Sequence, residues 1–148
     1  MKRGISLLLF SVIIILVLGW SSIQTIPEHP DTEAEIAARQ YVEAYGYQVV
    51  SYKGPISSYT LSLEDLSKTP HAQVWRVIPI DPASFIGKEI EVHQLIVSNH
   101  PLDSYPDSLG STSISLLFCE GQVLGGTSAP ITKEPLLGAP FSLDGRRY

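Results

Sequence analysis

Cysteine is almost missing from this 148-residue chain: Cys119 is the single one. An intrachain disulfide is therefore excluded, and with it the stapled frameworks of small secreted domains. The signatures of familiar catalysts are missing as well. There is no G-x-S-x-G elbow, no S-x-x-K set, no H-E-x-x-H and no Walker loop, which sets aside the common hydrolases and ATPases. Charge is sparse at 17% of residues, and base is the scarcer sign, with ten Lys/Arg against fifteen Asp/Glu and a formal net charge of −5. Lys2 and Arg3 precede an apolar run, so the remainder carries eight basic against fifteen acidic side chains, or −7. Such a surface repels polyanions, and no nucleic-acid partner is expected.

What is present begins with MKRGISLLLFSVIIILVLGW, a basic tip followed by an apolar stretch from Gly4 to Trp20. Its length lies where a secretory h-region and a membrane-spanning helix overlap. Gly19 and Ser21 offer a weak small-x-small cleavage pair, while Trp20 between them suits an interfacial belt. The balance favours an uncleaved anchor, with membrane contact through residues 4–20, the basic tip inside and the C-terminal domain outside the cell membrane. A cleaved signal and a secreted domain are the alternative. No cysteine follows the run, so lipoprotein anchoring is excluded. The chain thus divides into a signal-anchor or signal peptide (1–22), a Pro-containing tether (23–31) and one extracytoplasmic domain (32–148), long enough to bury a core of its own.

Within the domain, Thr32 and Glu35 form a capping-box pattern. Ala34, Ala37, Ala38, Tyr41, Val42 and Tyr45 recur at helical spacing, and Gly46 stands where a left-handed C-cap is wanted. Strands are expected at Tyr47–Tyr52 and, beyond a Gly54-Pro55 turn, around Ile56–Leu63. Leu63–Lys68 reads as one helical turn and Gln73–Ile80 as a short strand. Lys88–Asn99 is the longest strand signal, His100–Ser111 a Pro/Asp/Ser loop, and Thr112–Cys119 a strand with Ile114, Leu116 and Phe118 on one face. Glu120-Gly121 turns the chain into Gln122–Leu124, and the tail from Ala129 reads as irregular. The fold class is α+β: after the N-terminal transmembrane or signal helix, one helix packed on a small antiparallel β-sheet.

Few side chains suggest chemistry. Cys119 at a strand end reads as a buried thiol, with an intermolecular disulfide or a nucleophile as the other options. Gly125 and Gly126 resemble an anion nest only loosely, because a strand precedes them and Pro130 follows; a bulge or close backbone packing is the expectation. Glu89, Glu91 and His93 alternate on one strand face and could converge on a divalent ion, although any solvated face shows that pattern. Asn99, Asp103 and Asp107 lack the spacing of a calcium loop and read as turn chemistry. The tyrosines Tyr41, Tyr45, Tyr47, Tyr52 and Tyr59, with Trp75, stand amid acidic charge and read as core. No residue is assigned a catalytic, cofactor-binding or metal role, and no cofactor is expected.

Four segments in order carry a resemblance: Y-G-Y at Tyr45–Tyr47, F-x-G-K at Phe85–Lys88, V-S-N-H-P at Val97–Pro101 and E-G-Q-V-L-G-G at Glu120–Gly126. Together they resemble an uncharacterised family of exported or membrane-anchored Gram-positive proteins, domain of unknown function 4830. The family often places aspartate after the glycine pair where this chain has Thr127, and it implies no activity. The hairpin Gln122–Gly126 also resembles the Q-x-V-x-G wedge of cystatin-type protease inhibitors, with Leu124 in place of the central valine. Taken together, the expectation is a non-catalytic extracytoplasmic module tethered to the membrane that binds another cell-envelope protein or a ligand through a sheet face or the loop His100–Gly110. A small secreted enzyme, a hydrolase using Cys119 or the Glu91 and His93 pair, and a cystatin-like inhibitor are the competing readings.

Overall fold

Alternation along one strand organises the domain. β3 (Ser108–Cys119) sends Thr112, Ile114, Leu116 and Phe118 to one side and Ser111, Ser113, Ser115, Leu117 and Cys119 to the other, because successive side chains of a strand leave opposite faces. In the computed structural model, which describes residues 31–147, β3 is the centre of a five-stranded antiparallel sheet. Its order is β1-β2-β3-β4-β5, with β1 at Gln48–Thr60, β2 at Glu89–Ser98, β4 at Gln122–Thr132 and β5 at Phe141–Ser142. The α+β class is as expected. The apolar segment Gly4–Trp20 lies outside the described residues, and so does the tether up to Pro30; among the described residues no helix is long and apolar enough to cross a membrane.

The first face is covered by α1 (Glu33–Glu43). Thr32 caps it by accepting from the Glu35 amide at 3.1 Å. The reciprocal half of the expected capping box is not made, since Glu35 turns instead to Arg39, with its carboxylate 2.6 Å from the guanidinium. Gly46 ends the helix region at φ 85, where a Cβ would be strained. The stripe of Ala34, Ala37, Ala38, Tyr41 and Val42 then packs on Leu95, Val97, Ile114, Leu116 and Phe118. Each fully buried aliphatic side chain there contributes about 1.5–3 kcal/mol.

The second face has its own cover, which the sequence reading missed. Gln73–Ile80 was expected as a strand from its β-branched residues, but His71–Val77 forms a short helix, α2. Tertiary packing overrides propensity here: the helical turn brings Trp75, Ile78 and half-buried Val74 onto Leu61, Ile90, Leu117 and Cys119. The sheet is therefore covered by one helix on each face. A single helical cover, as expected from the sequence, would have left this second cluster in water.

Two other expectations fail for related reasons. Gly54-Pro55 does not end a strand but lies within β1, which pairs with β2 throughout and absorbs three register shifts. Gly54 takes φ 80 at one of them, and Pro55 is tolerated because β1 is an edge strand. The tail is not wholly irregular either: β4 continues to Thr132 and β5 pairs with it at Thr127 and Ser128. The expected tight turn holds, with Glu120 at φ 51 and Gly121 at φ 78, both positive as a type I′ hairpin requires.

The glycine pair serves this packing. Leu117 pairs with Gly125 and Phe118 with Val123, so Leu124 is the extra residue of a bulge. A Cβ on Gly125 would lie 2.7 Å from Ile78 Cγ2, and one on Gly126 2.7 Å from the Ser115 carbonyl oxygen. Neither position tolerates a side chain. Gly126→Ala is expected to cost about 1–3 kcal/mol by overpacking, read as a lowered urea midpoint. An unchanged midpoint would contradict the close approach.

Candidate functional site

α2 covers only part of the second face, and what it leaves open is a groove. Register sets a polar row on this face: Gln94 pairs with Ser115 and Ser115 with Thr127, and of these Ser115 and Thr127 line the floor, whereas Ser142, paired with Thr127, turns its hydroxyl to Asp144. Gln94 Nε2 donates to Ser113 Oγ at 3.0 Å in the neighbouring row. Two adjoining recesses form above this floor. One, of about 210 Å³, is lined by Ser57, Tyr59, His71, Val92, Ser115 and Thr127 among others. The other, of about 310 Å³, runs between α2 and the tail, against Gln73, Ala129, Leu136, Leu137, Phe141 and Arg147. Pro70 and Val74 line both.

His71 is the best-fixed group of the groove. Its ring stacks on Tyr59, with centroids 4.0 Å apart and planes 10° from parallel. Its Nδ1 lies 3.1 Å from Asp65 Oδ1. Asp65 is itself held by the Ser62 amide and hydroxyl, at 2.8 and 2.6 Å, and these bonds, with the His71 contact, keep its carboxyl below the ordinary value of 3.8. Tyr59 is fixed by accepting from Trp75 Nε1 at 3.0 Å. A carboxylate only accepts, so Nδ1 carries a proton. Neither His71 nor the serine row was singled out in the sequence. The available signal was the alternation S-x-S-x-S at Ser111, Ser113 and Ser115 opposite an apolar face.

The residues that were singled out do other work. Cys119 is buried and free, and burial, aided by Glu120, raises its thiol pKa. Glu91 and His93 do come together, Oε2 to Nε2 at 3.0 Å, but His93 Nδ1 is also taken, 2.6 Å from the Tyr52 hydroxyl. The His93 ring is buried against Phe118 with both nitrogens occupied, while Glu89 stays exposed. Among the described residues, no group of three His, Cys, Asp or Glu side chains converges. Asn99 and Asp107 take positive φ in turns, and Asn99 Nδ2 donates to the Gly46 carbonyl at 2.8 Å. Asp103 accepts from the His100 amide and from Thr112 Oγ1, which uses both its oxygens. Of the hairpin Gln122–Gly126, Gln122 is exposed, Leu124 joins the second core, and the glycines are buried.

His100 ties the loop to the C-terminal strand. Nδ1 accepts from the Leu102 amide at 3.0 Å, so the proton sits on Nε2, which donates to the Leu143 carbonyl at 2.9 Å. Tyr47 donates to the same carbonyl at 3.0 Å. This clasp fixes the tail that forms one wall of the groove. Comparison with protein-family models, with curated proteins and with solved structures finds no match.

Two outcomes follow. Iodoacetamide is expected to leave Cys119 unmodified in the folded chain and to label it in urea, as read by intact mass; native labelling would contradict its burial. Burial also pushes the His100 pKa below 6.5. The unfolded chain then binds that proton more readily, so the stability present above 6.5 is lost as pH falls towards the lowered folded value. Urea midpoints should fall through this window, and His100→Gln should flatten the slope; an equal slope in the variant would contradict the assignment.

Proposed function

We propose that this chain is a non-catalytic module, held at the outer face of the cell membrane by residues 4–20, that binds an extracytoplasmic partner through the groove of the second sheet face. The observation that carries this reading is the half-covered face. α2 packs on Ile90, Leu117 and Cys119, yet Ser115, in the groove beside it, stays only half-buried, as do Gln94 and Ser113 on the same sheet face. Leu137, almost wholly exposed, and half-exposed Leu136 stand at the rim. Polar groups that can still hydrogen-bond, framed by apolar side chains, are what a binding cleft provides. The loop His100–Gly110 is the weaker candidate, since Asp103, His100 and Leu102 spend their polar groups on the domain itself. The likeness to the 4830 family agrees with a tethered domain and adds no activity.

A secreted hydrolase is the second reading, and one arrangement favours it: the Asp65 and His71 pair faces a groove that also holds Ser57 and Ser115. A general base needs a nucleophile within hydrogen-bond reach, and no serine hydroxyl bonds to His71 among the described residues. Cys119 is a poor alternative because its buried thiol resists ionisation.

The test places a photo-crosslinking residue at Ser115 or, as a control, at Glu43 on α1 in the full-length chain, irradiates intact cells and reads the adducts and their intact mass. One recurrent adduct from position 115 and none from 43, on a chain retaining its N-terminus, is the expected result. Adducts from both positions alike, or a shortened chain with none, would contradict the reading. Ester hydrolysis lost in His71→Ala would favour the enzyme instead.

A further inference from the structure

The groove differs from the rest of the molecule in the sign of its charge. The chain beyond Lys2 and Arg3 carries fifteen acidic side chains against eight basic ones, yet neither recess is lined by a single aspartate or glutamate. Elsewhere acid reaches the recesses readily: Asp144 lines the one beside Tyr41 and Tyr45, and Glu33 and Glu91 line the one at the start of α1. Among the described residues Arg147, at the tail end, is the only lysine or arginine lining either recess, and the nearest carboxylate, Asp65, is turned to His71 and Ser62.

Arg147 is placed as a recognition group. Its guanidinium lies over the Phe141 ring, 4.5 Å from the centroid, and one Nη donates to the Tyr105 hydroxyl at 3.1 Å. Stacking and one hydrogen bond fix the plane, and among the described residues its other side-chain N–H donors are unused. Among the described residues it has no carboxylate partner, whereas its neighbour Arg146 pairs with Asp144 at 3.0 Å. A guanidinium held in plane with a free edge suits bidentate binding of a carboxylate. The floor adds a second requirement. Ser57, Ser115, Thr127 and Gln73 along the groove are able to hydrogen-bond amides, and the ridge of Pro70 and Val74 divides two recesses, as alternate side chains of an extended chain would need.

We infer that the groove binds an extended acidic polypeptide segment, with two apolar side chains seated on either side of the Val74 ridge and an aspartate or glutamate on Arg147. This rests on the proposed use of the second sheet face and deepens it by naming the ligand chemistry.

The probes are an array of fluorescein-labelled extended peptides with two leucines two positions apart, followed by Asp, and otherwise identical twins with Asn or Lys in its place. Dodecanoate serves as a non-peptide anion. Each is titrated against the full-length chain in detergent by fluorescence polarisation. The Asp peptides are expected to bind at least about tenfold more tightly than the Asn twins, as a charge-assisted bond supplies, and the Lys twins more weakly still. In Arg147→Gln the Asp and Asn peptides should bind alike, with the thermal midpoint unchanged, and Arg147→Lys should restore part of the preference. Equal binding of Asp and Asn twins to the parent, or dodecanoate outcompeting every peptide, would overturn the inference. If position 115 still crosslinks one partner in cells, the binding reading survives that failure; if it does not, both fall.

Discussion

Everything in this domain depends on β3 being buried on both sides. A strand has no choice about its alternation, so Ile114, Leu116 and Phe118 demand cover on one face while Leu117 and Cys119 demand it on the other. Among the described residues seventeen apolar side chains fall below one-tenth exposure, and all but Leu102 and Phe141 belong to one of two clusters with the sheet between them. α1 is long enough to close its side. α2, at seven residues, closes only one end of the other, and the strip it cannot reach is surfaced with serine, threonine and glutamine. The groove is thus a consequence of the mismatch between a five-stranded sheet and a two-turn helix.

The sequence made the elements with strong local signals legible. α1 showed its cap, stripe and terminal glycine, and β2, β3 and the Glu120-Gly121 turn showed alternation and turn chemistry. Hidden were the features that tertiary contacts decide. The run Gln73–Ile80 has strand composition, and only the demand of Ile90 and Leu117 for cover makes it a helix. Gly54 and Pro55 punctuate a strand instead of ending it because edge bulges absorb them. The groove was invisible for a simpler reason: its polar lining gathers Ser57, Gln73, Ser115 and Thr127 from β1, α2, β3 and β4, and tertiary packing, not spacing, brings them together. His93 was visible as a candidate, but its burial against Phe118 and its bond to Tyr52 were not.

The tail links stability to the proposed site. Leu143 has its carbonyl held by Tyr47 and His100, and Ser128 Oγ donates to the Ser142 carbonyl at 2.6 Å. These bonds hold β5 on β4 and so set where Phe141 presents its ring to Arg147. An imidazole committed on both nitrogens to backbone groups is intolerant of a second proton. The same clasp that builds the groove wall therefore ties its integrity to pH.

The most direct measurement is hydroxyl-radical footprinting of the full-length chain, purified and in its native membranes, since this reads side-chain access on both faces at once. Protection in membranes of Leu136, Leu137 and His71, with Ile36 on α1 and Tyr45 just after it labelled equally in both states, is the result expected if the second sheet face is the working surface. Protection of Ile36 and Tyr45 with Leu136, Leu137 and His71 unchanged would contradict it.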